Sequence, residues 1–158
     1  LKIFDVQGLT RNIKNQIITN QRNPSIKKIF KGFDILKCDN RELSLIKNHP
    51  KKESIINYLF DLGISEIIVT KGFFGSTIYS KEKDRTVIPP FIPNKIVDTT
   101  GCGDTYAAIY VFARYKGYSI YHAGLLASAG SGIKTEKTGL LTKSFTKIKI
   151  RVNPICQI

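Results

Sequence analysis

The sequence predicts an α/β fold built on a layered sheet, and three observations point to it. Short apolar, strand-like runs alternate along the chain with segments of helical periodicity. The segment 52–62 sets Ile55, Ile56, Leu59, Phe60 and Leu62 on one broad apolar face of the kind that covers a sheet. A glycine turn at 101–103 opens onto a long apolar run. Folds of this class keep their phosphate sites in such places, beyond the carboxyl ends of strands and at helix starts.

Taken in order, a strand is expected near 2–6 and a helix near 25–31, followed by a strand over Phe33 to Lys37. A helix then runs from Arg41 to Lys47, with Asp39 or Asn40 as its cap and Glu42 favourably placed in its first turn. After helix 52–62 come an apolar strand at 66–70, a glycine-containing turn and a second strand at 75–79. A strand at 85–88 leads into Val87 to Pro93, whose three prolines suit an extended connector delivering Ile96 and Val97 to the glycine turn. Helices are expected near 103–116 and 119–133. The first would be apolar on nearly every face and therefore buried; the second is rich in Ala, Gly and Ser, which lets helices pack closely.

The chemistry is concentrated in Asp98-Thr99-Thr100-Gly101-Cys102-Gly103-Asp104. A helix start leaves up to four backbone N–H groups without partners and carries partial positive charge, so a glycine-rich turn there can wrap a phosphate. A carboxylate beside a phosphate repels it, unless a metal ion intervenes or the carboxylate takes a proton from the group attacking that phosphate.

This string resembles the second signature of the ribokinase-like (PfkB) carbohydrate and nucleoside kinases, with Cys102 where Ala is commoner. The resemblance implies a three-layer α/β/α fold and an anion hole formed by Gly101, Cys102 and Gly103. It makes Asp104 the catalytic base and gives Asp98 and Thr100 a monovalent cation such as K⁺. Weaker matches follow the family's order. Ile67 to Gly75 is similar to a turn that borders the nucleotide, which makes Thr70, Gly72 and Gly75 candidates to line the ATP site; read from the residues alone, this is a hairpin turn whose glycines supply positive φ. Phe33 to Glu42 is similar to a strand leading into a Mg²⁺-holding motif, with Glu42 in the metal role and Asp39 where Asn is typical. Lys2 to Arg11 is similar to a strand whose arginine organises the site, though Arg11 could equally pair with Asp5 on the surface. Ser128, Gly132 and Gly139 fall where the family borders adenine, with tight helix packing the simpler account of Ser128.

The resemblance spans Ile3 to about Val152. Family members carry in addition an N-terminal half with the acceptor-binding residues and a small β-sheet lid, neither of which is recognisable here. With Leu1 opening directly on a strand-like segment and no methionine, residues 1–158 are expected to be the C-terminal, nucleotide-side portion of one kinase domain, nearly inactive alone. The expected activity is transfer of the γ-phosphoryl group of ATP, with Mg²⁺, to a hydroxyl of a sugar, polyol or nucleoside. The alternative is a non-catalytic nucleotide- or nucleic-acid-binding module that keeps the fold. A homodimer of the full-length protein stays open.

Composition restricts the alternatives. Lys and Arg number 25 against 12 Asp and Glu, for a net charge of +13, which raises the question of nucleic acid. The lysines are scattered rather than gathered on one helix with interleaved aromatics, so a solvated basic face is the better account. Cys38, Cys102 and Cys156 are widely spaced and odd in number, which fits a reducing, cytoplasmic setting and suggests neither disulfides nor zinc; at a helix start, Cys102 would have a lowered thiol pKa. Gly101-Cys102-Gly103 lacks the third glycine of a dinucleotide fingerprint, position 106 being Tyr, and no Gly-Lys-Ser or Gly-Lys-Thr follows. No apolar run reaches membrane length.

Overall fold

The computed structural model describes residues 1–14, 17–20, 25–47, 49–82 and 85–156; at 8, 11–14, 17–20, 27 and 153–156 it describes the backbone alone. In order, the elements are β1 (Ile3–Asp5), β2 (Arg11–Lys14), β3 (Ile17–Asn20), α1 (Ile26–Ile29), β4 (Ile35–Asp39), α2 (Asn40–Ile46), α3 (Lys52–Asp61), β5 (Glu66–Thr70), β6 (Ser76–Ser80), β7 (Arg85–Ile88), α4 (Cys102–Tyr115), α5 (Ile120–Lys134) and α6 (Phe145–Cys156). Five strands form one sheet in the order β1-β4-β5-β6-β7, while β2 and β3 pair antiparallel as a separate ribbon. The expected α/β alternation is therefore present, and β2, β3 and α6 are additions to it. The chain divides into two compact units, one of residues 1–71 and 77–85, the other of 72–76 and 86–158.

In the first unit, β1, β4 and β5 run parallel, with Asp5 opposite Lys37 and Asp39 opposite Thr70. Alternation within β4 and β5 sends Leu36, Cys38, Ile67 and Val69 into one core with Leu43 and Ile46 of α2 and Ile55, Ile56 and Leu59 of α3. Phe60 and Leu62 are partly buried against the same cluster, so the apolar face expected on 52–62 is the face that packs. Ile35 and Ile68, on the opposite face of their strands, are also fully buried, as parallel strands require. The register brings Asp5, Asp39 and Thr70 to the carboxyl ends of their three strands, the edge at which such sheets bind ligands.

In the second unit, α4 and α5 approach closely because α5 carries glycine at the contact. A Cβ at Gly130 would lie 2.0 Å from Cδ1 of Ile109. Residues 123–130 of α5 are all buried; six of the eight are Ala, Gly or Ser, and the other two are Leu125 and Leu126. Helix α4 differs from expectation: Tyr106, Ala107, Ile109, Tyr110 and Ala113 are buried, but Phe112 and Tyr115 are exposed, so it buries one broad side rather than its whole surface. The Tyr106 phenol hydrogen-bonds Ser76 Oγ at 2.7 Å, and burial pushes it well above the ordinary tyrosine range. Helix α6 sets Phe145 edge-on to Phe112 with ring centroids 4.9 Å apart and buries Ile148 and Val152.

Candidate active site

The residues singled out in the sequence fall in two places, one in each unit. In the first unit they gather at the carboxyl ends of β4 and β5. Asp39 is the N-cap of α2, and Asn40 is the helix's first residue. Asp39 Oδ1 accepts from the Glu42 N–H at 2.7 Å, and Glu42 Oε2 accepts from the Asp39 N–H at 2.8 Å, so the two form a capping box. The capping account is thus correct, and it engages only one oxygen of Glu42. Burial, then the neighbouring charges of Asp39 and Asp5, raise the Glu42 carboxyl above its usual range, although the Asp39 N–H opposes them. A half-buried carboxylate facing like charges, with one oxygen that has no partner among the described residues, suits a hydrated divalent cation. Among the described residues no group of three or more His, Cys, Asp or Glu side chains could hold a metal ion.

Asp5 has a partner that the sequence did not suggest. Its Oδ2 accepts from Lys37 Nζ at 2.6 Å, and the Lys37 side chain is only 6% exposed. The side chain of Arg11 lies outside the described residues. Thr70 Oγ1 donates to the Cys38 carbonyl at 3.4 Å.

In the second unit the signature forms the start of α4. Gly101 is the N-cap, at φ +76° in the left-handed region, which reverses the chain without a Cβ penalty. The Cys102 N–H donates to Thr99 O at 3.2 Å and so closes the turn. The N–H groups of Gly103 and Asp104 have no hydrogen-bond partner among the described residues, and neither has the exposed carboxylate of Asp104. Cys102 does not behave as expected: burial pushes its thiol up, and the nearby Lys134 charge only partly offsets that. Its Sγ donates to Ser131 O at 3.6 Å, and Ser131 Oγ donates back to Cys102 O at 3.0 Å.

Asp98 also departs from expectation. Its Oδ1 accepts from the Thr100 N–H at 2.8 Å, while Lys134 Nζ donates to both its Oδ2 (3.0 Å) and its carbonyl (3.3 Å). Hydrogen bonds from Thr100, and then from Lys134, hold the carboxyl down at about 2. Every oxygen of Asp98 thus has a donor, so the residues do not fit a free monovalent cation there. Thr100 serves the carboxylate through its own N–H. Nothing in the sequence reading singled out Lys134. The available signal was one lysine ending a helix otherwise made of small and apolar residues.

Ser128 and Gly132 of α5 are held by packing rather than left open for a base. Ser128 Oγ donates to Pro89 O at 2.9 Å and accepts from the Phe91 N–H at 3.0 Å, and a Cβ at Gly132 would lie 2.6 Å from the Phe91 ring. Both therefore fasten the proline connector to α5. Gly139 sits exposed at φ +79° with open space around it. Beside it, Ile133, Lys134, Glu136, Lys137 and residues 140–143 line a small cavity of about 30 Å³, room for one water.

Next to this loop, Arg151 grips Glu136 with two bonds of 2.9 Å, and the Asn94 N–H adds a third at 3.0 Å. The arginine, first, holds the Glu136 carboxyl below its ordinary range. A carboxyl depressed in the folded state stabilises the fold above its unfolded pKa, and that contribution disappears as pH falls through the lower folded value. Glu136→Gln is therefore expected to lose about 1–2 kcal/mol at pH 7, with the difference from the parent vanishing in acid. Denaturant midpoints across a pH series measure this; an equal deficit at all pH would contradict it.

Comparison with known proteins addresses the family and the fold. The family model described as pfkB family carbohydrate kinase matches residues 3–147. A nucleoside kinase of Methanocaldococcus jannaschii is 38% identical over 87 residues, covering 55% of this chain and 28% of that protein. Among solved structures, an E. coli protein assigned to ribokinase II, in complex with ATP and Mg²⁺, superposes with a TM-score of 0.74 at 23% identity over 82% of this chain and 42% of its own. Burkholderia thailandensis nucleoside kinase in complex with inosine gives a TM-score of 0.74 at 20% identity, over 87% and 45%. The chain spans less than half the length of each of these three proteins, and among the described residues no helix is long and apolar enough to cross a membrane. The fold is ribokinase-like, and the chain belongs to the pfkB family of carbohydrate kinases.

Proposed function

We propose that residues 1–158 supply the nucleotide-side, phosphoryl-transfer portion of an ATP-dependent kinase acting on an alcohol of a sugar, polyol or nucleoside. The start of α4 carries this reading: the Asp104 carboxylate stands beside the N–H groups of Gly103 and Asp104, none of them with a hydrogen-bond partner among the described residues. Asp104 takes the proton of the acceptor hydroxyl as that oxygen attacks phosphorus. The turn at 101–104 holds the charge that develops on the transferring group, with its donors fixed in advance by the left-handed glycine cap. Glu42 would hold Mg²⁺, whose chemistry is to neutralise part of the phosphate charge. Thr70, Gly72 and Gly75 would border the nucleotide, as would the exposed loop at Gly139. The bound inosine of the B. thailandensis kinase and the nucleoside kinase of M. jannaschii favour nucleosides as the first acceptors to try.

The test is ATP consumption by the full-length protein with Mg²⁺ and a panel of nucleosides, sugars and polyols. One class of acceptor should drive stoichiometric formation of ADP. No turnover with any acceptor, together with salt-dependent binding to nucleic acid, would replace the kinase reading with that of a binding module.

A further inference from the structure

Lys134 is the last residue of α5, and its side chain is 4% exposed. An ammonium so far from water needs a compensating charge, because desolvation costs several kcal/mol per ion. Asp98 supplies it. Lys134 Nζ lies 3.0 Å from Asp98 Oδ2 and 3.3 Å from the Asp98 carbonyl. Its stem reaches the glycine turn: among the described residues, Lys134 Cε, at 4.0 Å, is the one non-neighbouring heavy atom within that distance of a Cβ built at Gly101. The next residue, Thr135, ties down the same segment, its carbonyl accepting from the N–H groups of Val97 (2.7 Å) and Asp98 (3.2 Å). One positive charge thus joins the end of α5 to the segment that leads into the α4 cap.

We propose that Lys134 is a built-in monovalent cation: its ammonium takes the place of a free K⁺ at Asp98 and positions the 98–104 turn without one. The chemistry allows the exchange, since an ammonium carries the same single charge as K⁺ and binds the same oxygens. A second cation at Asp98 would meet the like charge of Lys134, 3.0 Å from Oδ2, and find no Asp98 oxygen without a donor. Lys134 is a positioning residue, acting through Asp98 on the turn. The inference rests on the kinase reading for its consequence in catalysis, but not for its effect on cation binding.

Two measurements on the full-length protein test it, both in KCl against tetramethylammonium chloride at equal ionic strength. The parent should melt at the same temperature in both salts; Lys134→Ala should melt lower and recover specifically in KCl. With the acceptor found above, parent rates should be equal in the two salts. The variant should be slower by about 10²-fold in tetramethylammonium, as a misplaced active-site turn predicts, and should regain rate with K⁺ or methylammonium. A merely structural lysine would show no rescue by a specific ion. Where Lys134→Ala does not fold, Lys134→Met keeps the stem, drops the ammonium and carries the same comparison. A K⁺-specific gain in the parent, or a variant no different from the parent in either salt, overturns the proposal. If no acceptor is phosphorylated, the kinase reading fails while the melting arm still decides the cation question.

Discussion

Asp104→Asn in the full-length protein is expected to lower kcat for phosphoryl transfer by about 10²–10⁴-fold, the range that a positioned general base contributes. The substitution changes charge and proton affinity while nearly preserving shape. The cap at Gly101 and the N–H donors of Gly103 and Asp104 stay where they are, so ATP should bind as well as before, or better once the repulsion between carboxylate and phosphate is gone. Loss of an acidic residue from the first turn of a helix removes only about 0.3–1 kcal/mol, too little to unfold the protein and mimic a catalytic defect. Calorimetric ATP binding beside turnover separates the two effects. Turnover within a few-fold of the parent would remove Asp104 from the mechanism.

The second large effect concerns stability. Gly75 sits at φ +78°, and a Cβ there would lie 2.2 Å from Ile88 O and 2.9 Å from Pro90 N, both backbone atoms that no side-chain rotation can move. Gly75→Ala combines the left-handed penalty of about 1–2 kcal/mol with overpacking of about 1–3 kcal/mol, so a loss near 3 kcal/mol is expected. Gly72, at φ +58° with open space around it, is the internal control: Gly72→Ala should lose only about 1 kcal/mol. Denaturant midpoints measure both. Equal losses at the two positions would mean that the crowding at Gly75 relaxes freely. Part of what reads as a nucleotide-binding glycine pattern is therefore required by backbone contact alone.

Which parts of the molecule were legible in the sequence follows from the range of the forces involved. Strands β4 and β5, helix α3 and the glycine cap depend on local periodicity and turn chemistry, and these survive without tertiary information. Helix α6 was missed because Lys147-Ile148-Lys149-Ile150 alternates like a strand; its helical spacing shows in the burial of Ile148 and Val152, four positions apart, while Ile150 stays exposed. The β2–β3 ribbon was missed because each strand is four residues long and its pairing is with the other strand. At the site, residue types were readable and partners were not. The lysines that neutralise Asp5 and Asp98 lie 32 and 36 positions away, and no local pattern points to them. The expected low thiol pKa of Cys102 failed for the same reason, because burial outweighed the helix terminus.

Cys102 has a further consequence for how the signature itself changes over time. Where the family usually has Ala, this chain has a thiol that bonds Ser131, and Ser131 returns the bond to the Cys102 carbonyl. The unusual letter in the motif is thus one half of a two-residue clasp, and the other half lies 29 positions downstream, outside any motif. Both bonds end on backbone carbonyls, so the clasp comes apart one side at a time: Ala at position 102 leaves the Ser131 hydroxyl its acceptor, and loss of that hydroxyl leaves the Cys102 thiol its own.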